Sequence, residues 1–196
     1  MNRNWWILLG AAAVIVFVIA GYSIGKDDAS PAATGGAGQP AEMAGSVQVG
    51  QEDESKPKKG AAAPSFSLTM LDSDKTYQVG GARDKVLVLN FWASWCGPCD
   101  IEAPDLVALY HKYNDKMDLY AVNATSYDRV RNAREFVEEK GLPFPVLMDT
   151  EGEAVSLYRV YALPTSFIID REGKIVERIE GIIPLEQWEK LLEPVL

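Results

Sequence analysis

The chain has 196 residues with 47% hydrophobic content, room for one or at most two domains with an ordinary globular core, which excludes disorder throughout. Its 28 acidic and 19 basic residues give a formal charge of −9, which argues against nucleic-acid binding, because neutralising phosphates requires a basic face. Two cysteines are too few for a disulfide-stapled scaffold or a four-thiolate zinc site, so they are either incidental or the chemistry itself.

The first feature along the chain is residues 5–24, uncharged and nearly all apolar, with Arg3 before them and Lys26, Asp27 and Asp28 after. About 20 apolar residues cross a bilayer as a helix, so residues 1–25 are expected to be an N-terminal transmembrane anchor. The rival reading is a cleaved signal segment with Ser23 and Gly25 near its cleavage site, but such segments have a shorter apolar core of roughly 7–15 residues. Trp5 and Trp6 then belong at the interface and the Arg3 end in the cytoplasm, giving a single-pass protein. Under either reading everything that follows is exported. No cysteine lies near the end of the apolar run, which argues against a lipoprotein anchor.

Residues 26–63 are rich in Ala, Gly, Ser and Pro and hold almost no large apolar side chain, so they are expected to be a flexible linker. A coil of that length reaches on the order of 35 Å end to end. The charge divides as +1 before the linker, −2 within it and −8 over residues 64–196, so the acidity belongs to the part expected to fold.

Within residues 64–196, strand-length apolar runs fall at 85–91, 117–123, 145–148, 165–170 and 174–179, with a weaker pair at 66–70 and 75–79. Val130, Ala133, Phe136 and Val137 mark one helical face, ended by Gly141 and Pro143; Leu185, Trp188, Leu191 and Leu192 mark another, opened by Pro184. Arg171-Glu172-Gly173 between two strand runs predicts an antiparallel hairpin. Strands alternating with helices and closing on a hairpin and a helix predict an α/β fold, a mixed sheet flanked by helices.

Both cysteines fall in Trp95-Cys96-Gly97-Pro98-Cys99, directly after a predicted strand and at the start of a predicted helix running to about Tyr113. Unpaired amides and the positive dipole end at a helix N-terminus favour a thiolate, so Cys96 is the expected nucleophile. Cys99, one turn further in and less exposed, is expected to resolve the mixed disulfide. Gly97 permits a tight turn, and Pro98 is tolerated in the first turn, where its missing amide was unpaired anyway. The competing readings are a buried structural pair and half of a zinc site completed by carboxylates and the single histidine, His111. Trp95 is expected to offer a flat contact surface to substrates, whereas Phe91 and Trp92 belong to the core and its rim.

The segment Asn90-Phe-Trp-Ala-Ser-Trp-Cys-Gly-Pro-Cys99 resembles the active site of the thioredoxin superfamily, and Tyr161-Ala-Leu-Pro-Thr-Ser-Phe-Ile-Ile-Asp170 resembles its cis-proline segment. With Ala63-Pro-Ser-Phe-Ser-Leu at the front, the similarity covers residues of about 63–196, and the membrane-anchored thiol-disulfide oxidoreductases of the TlpA/ResA type match it best. The resemblance implies a thioredoxin-like fold and extracytoplasmic reduction of protein disulfides, among them the haem-binding cysteines of apocytochrome c. It also implies a membrane electron donor that restores the dithiol, and it calls for no metal or organic cofactor. By position, Pro164 would be the cis-proline facing the cysteine pair, with Leu163 and Thr165 on the same substrate surface. X–Pro bonds reach cis at about 0.5–1 kcal/mol, although without this context a trans proline opening a strand is the default.

Two positions depart from the pattern. Thioredoxins ordinarily place a buried aspartate where Asn90 stands, and the family usually has glycine where Ala162 stands. Glu102, three residues after Cys99 on the same helix face and matched by Glu in the TlpA/ResA group, is the candidate general base for Cys99. The plainer alternative is a solvated helix charge among Asp100 and Asp105. Pro104 should kink this helix.

Two other functions compete with disulfide reduction. A redoxin-type peroxidase needs a proline and a hydroxyl residue seven and three positions before its reactive cysteine; Cys96 has Leu89 and Ala93 there, and Cys99 has Trp92 and Cys96. A non-catalytic binding or metal-carrier module would use the thiols as soft ligands. The Gly-Pro between the cysteines matches the most reducing relatives and favours reduction.

Overall fold

The structure, a computed structural model, describes residues 57–196; the expected membrane span and most of the linker lie outside the described residues. No helix among the described residues is long and apolar enough to cross a membrane. The elements in chain order are β1 (Phe66–Thr69), β2 (Thr76–Val79), β3 (Val86–Trp92), α1 (Gly97–Tyr113), β4 (Met117–Asn123), α2 (Val130–Lys140), β5 (Val146–Met148), α3 (Glu153–Leu157), β6 (Thr165–Ile169), β7 (Ile175–Glu180) and α4 (Leu185–Leu192). A 3-10 turn at Thr125–Tyr127 follows β4.

Five strands form one mixed sheet in the order β5-β4-β3-β6-β7. β3 and β4 pair in parallel, as do β4 and β5, while β6 runs antiparallel to both β3 and β7. The central strand β3 is buried at every position. Its alternate side chains supply two cores: Val86, Val88 and Trp92 pack with Ala103, Leu106, Phe136 and Trp188 of the α1, α2 and α4 layer. Leu87, Leu89 and Phe91 pack on the other face with Phe66, Ala154 and Tyr158. The period of two therefore places Asn90, polar in an apolar run, on the α1 face.

α1 runs unbroken from Gly97 to Tyr113 with Pro104 inside it. Gly141 caps α2 in the left-handed conformation, φ 60°, which glycine adopts at little cost. The β6–β7 hairpin turns through Gly173, φ 79°, with the Lys174 amide donating to Asp170 Oδ1.

Two sequence expectations are corrected here. α3 was not foreseen: its five residues are too few for a periodic apolar face, and a local device starts it, Asp149 accepting from the amides of Ala154 and Val155. The linker boundary also moves. The Gly60 amide donates to Ile175 O, the Ile175 amide to Ala61 O and the Ala63 amide to Gly173 O, so residues 60–63 belong to the folded unit rather than to a linker ending at residue 63. Small side chains conceal this in the sequence, because the docking is made by backbone groups, which pair with the β6–β7 turn and the first residue of β7.

Candidate active site

The C-terminal end of β3 delivers the cysteine pair. After Trp92, the short link Ala93-Ser94-Trp95 leads to Cys96, the N-cap residue of α1, with Pro98 in the first turn. Cys96 and Cys99 are joined in a disulfide with their Cα atoms 5.2 Å apart, and both are buried. The Cys99 amide donates to Cys96 Sγ at 3.2 Å. That amide is one of the unpaired donors of the helix start, and it supports a thiolate at Cys96 in the reduced protein. His111 lies in the last turn of the same helix, about 20 Å along the axis from Cys96 at the helical rise, which separates it from any half-site at the cysteines.

Glu102 is 1% exposed, so the solvated-charge alternative does not describe it. Its Oε2 accepts from Asn90 Nδ2 at 2.9 Å, and Asn90 Nδ2 also donates to Ser166 Oγ at 2.9 Å; Oε1 has no partner. Burial raises the carboxyl pKa to about 7, opposed by the Asn90 hydrogen bond and helped by the charge of Asp105. A group titrating near neutrality one helical turn from Cys99 can take up and return a proton at working pH.

The Leu163–Pro164 peptide bond is cis, and Pro164 is buried with its carbonyl accepting from the Gly181 amide at 2.8 Å. Leu163 lines a groove of about 640 Å³ beside the disulfide, together with Trp95, Cys96, Tyr127, Val160 and Tyr161. Thr165 is corrected: its side chain is fully buried and its hydroxyl donates to Ala162 O at 2.8 Å, so it ties the loop from within and offers nothing to the groove. It opens β6, a strand buried at every position.

Trp95 is 62% exposed, and its indole N–H donates to Tyr127 O at 2.9 Å, which leaves the ring face free and its orientation set. Tyr127 and Tyr161, 71% and 86% exposed, were not anticipated; lone tyrosines in loops carry no periodic signal. Nor was Asp128, which accepts from the Ser94 amide (2.7 Å), Ser94 Oγ (2.6 Å), Asn123 Nδ2 (2.9 Å) and the Arg129 amide (2.7 Å). Burial works to raise its pKa, but these hydrogen bonds prevail and hold it below the ordinary aspartate value. The bracket fixes the approach to Cys96 against the turn that carries Tyr127.

Residues 59–178 match the AhpC/TSA family. The thiol-disulfide oxidoreductase ResA of Bacillus thuringiensis is 38% identical over 143 residues, 72% of this chain and 81% of the relative. Among solved structures, a Chlorobium tepidum protein provisionally assigned as thiol:disulfide interchange protein DsbE superposes with a TM-score of 0.63 at 31% identity, over 70% of this chain and 97% of the other. StoA of Bacillus subtilis gives 0.58 at 25% identity, over 65% and 96%.

Proposed function

This chain belongs to the AhpC/TSA family and is a thioredoxin-like thiol-disulfide oxidoreductase of the ResA/DsbE type, and we propose that it reduces protein disulfides outside the cytoplasm with Cys96 as nucleophile. The observation that carries the mechanism is a buried carboxyl of raised pKa one turn from the inner member of the Cys96–Cys99 pair.

In the reduced enzyme the Cys96 thiolate attacks one sulfur of a substrate disulfide. The Cys96–substrate bond forms, the substrate S–S bond breaks, and the departing substrate thiolate takes a proton from water. Cys99 then passes its proton to Glu102 and attacks Cys96 Sγ. The enzyme disulfide forms as the mixed disulfide breaks, and the second substrate thiolate leaves and is protonated from Glu102 or solvent. Two electrons pass from enzyme to substrate, and a donor must return them. Leu163, Trp95 and the cis-Pro164 loop border the groove in which the substrate chain would lie.

The uncharged residues 5–24 support a single membrane span with the Arg3 end inside, a catalytic domain on the outer face and a membrane electron donor. Apocytochrome c is the substrate we favour, on the resemblance to the ResA group.

Insulin reduction with wild type, Cys96→Ser and Cys99→Ser is the test. Activity only in the wild type, with Cys99→Ser accumulating a mixed disulfide at Cys96, is expected. Equal inactivity of all three with retained peptide or copper binding would favour a binding module instead. The reduction potential reads the direction: a value near about −120 mV, that of a strong oxidant, overturns net reduction.

A further inference from the structure

One wall of the groove beside the disulfide is a continuous piece of chain: Val155 in α3, then Val160, Tyr161, Ala162 and Leu163 in the loop that follows. Its own packing holds little of it, since Tyr161 is 86% exposed and Ala162 is exposed as well. The turn that starts the wall is unusual. The Arg159 amide donates to Ser156 O at 3.1 Å and the Val160 amide to Val155 O at 3.0 Å, the paired bonds that end a helix through a left-handed residue. Glycine is the usual occupant of that position, because a Cβ is penalised there. Here the occupant is Arg159, φ 49°, the one residue other than glycine with positive φ among the described residues. Such a conformation persists where the surrounding structure imposes it.

Arg178 on β7 imposes it. Its Nη1 donates to Tyr158 O at 3.0 Å and its Nη2 to Arg159 O at 2.9 Å. The first carbonyl belongs to the peptide plane before the Arg159 Cα and the second to the plane after it, and φ and ψ of Arg159 are the rotations between those two planes. Holding both planes on one rigid fork therefore fixes the left-handed turn. The fork is itself set, because Nε donates to Glu180 Oε1 at 2.8 Å and the guanidinium carbon lies 5.1 Å from the centre of the Phe167 ring. The far end of the wall is pinned separately: the Gly181 amide donates to Pro164 O and Thr165 Oγ1 to Ala162 O, both at 2.8 Å.

We infer that Arg178 is a positioning residue for substrate binding: its guanidinium clamps Arg159 in the left-handed turn that sets Val160–Leu163 beside the disulfide as the wall against which a substrate polypeptide lies. The inference rests on the reductase reading and adds to it a residue outside the groove that decides whether the groove is formed. Arg178 does not itself line the groove, so its effect reaches the substrate through the backbone of residues 158–163. Without the clamp, Arg159 is free to leave positive φ, and the loop after it takes another course. A disulfide carried in a polypeptide then loses a contact surface, whereas a disulfide with no chain around it loses nothing.

The test compares two disulfides on the full chain. Insulin is reduced in the steady state, with dithiothreitol returning the electrons and the enzyme-free rate subtracted; bis(2-hydroxyethyl) disulfide is given to the reduced protein and the rate of its oxidation is followed. Arg178→Ala should raise KM for insulin about tenfold, the scale of one hydrogen bond to a charged group, with kcat within about twofold of wild type. The rate with the small disulfide should also stay within about twofold. Arg178→Lys keeps the charge and the stem but has no fork; its KM should fall between those of wild type and Arg178→Ala, and it provides the test if Arg178→Ala does not fold. Arg159→Gly, added to either variant, should bring KM back to within about twofold of wild type, because glycine adopts positive φ without a clamp. General damage to the fold would slow both disulfides alike, and a glycine outside the groove would not repair it. An unchanged insulin KM in the folded variants, an equal loss toward both disulfides, or failure of Arg159→Gly to restore KM overturns the clamp while leaving the exchange reading intact. Failure of the wild type to reduce either disulfide overturns both.

Discussion

Glu102 costs the folded protein stability whenever it is ionised. Its folded pKa of about 7 stands above the ordinary 4.5, so between those values the native state binds more protons than the unfolded chain. Stability should therefore be highest below about pH 4.5 as far as this group is concerned and decline as pH rises to about 7, by roughly 3 kcal/mol in total. Glu102→Gln should flatten that decline, and denaturant unfolding at several pH values checks it. Asp128 works in the opposite sense. Its pKa is held low, so its contribution is present above the ordinary aspartate value and disappears as pH falls through the depressed one. Asp128→Ala releases the Ser94 amide and hydroxyl beside the cysteines. The expected outcome is a several-fold higher KM for a protein disulfide with a smaller change in kcat, measured by steady-state reduction.

Elements place these residues, and their ends do so by specific devices. Gly173 turns the β6–β7 hairpin at positive φ, and a Cβ there would collide with the Gly81 carbonyl. Gly173→Ala should destabilise by about 1–3 kcal/mol, read as a lower denaturation midpoint. The loop before the cis-proline is held by Arg178, whose guanidinium donates to Tyr158 O and Arg159 O at 3.0 and 2.9 Å. α4 anchors the opposite side through Trp188, which is fully buried against the α1 layer. Trp188→Ala should cost about 3–5 kcal/mol in thermal or denaturant unfolding.

The whole domain begins earlier than its composition suggests. A chain starting at residue 64 loses the three backbone hydrogen bonds of residues 60–63 to the β7 region, about 3 kcal/mol at roughly 1 kcal/mol each. It should melt on the order of 10 °C below a chain starting at residue 57, measured by calorimetry. The paired segment also covers the start of β7, and the Met70–Leu147 bridge lies against β5 at the other end of the sheet.

The features legible along the chain are local and periodic. The apolar run of β3, the apolar faces of α2 and α4, the glycine at the end of α2 and the cysteine pair at a strand-to-helix junction all depend on neighbours within a few residues. What surrounds Glu102 comes only with the packed fold, because its raised pKa arises from burial, which outweighs the opposing hydrogen bond from Asn90, 12 residues away in the chain. The packed fold also gathered Trp95, Tyr127 and Tyr161 around one groove, turned Thr165 inward and brought Ser166 within hydrogen-bond distance of Asn90 across 76 residues. Burial and long-range hydrogen bonds are properties of packed layers. No periodicity along a single segment encodes them.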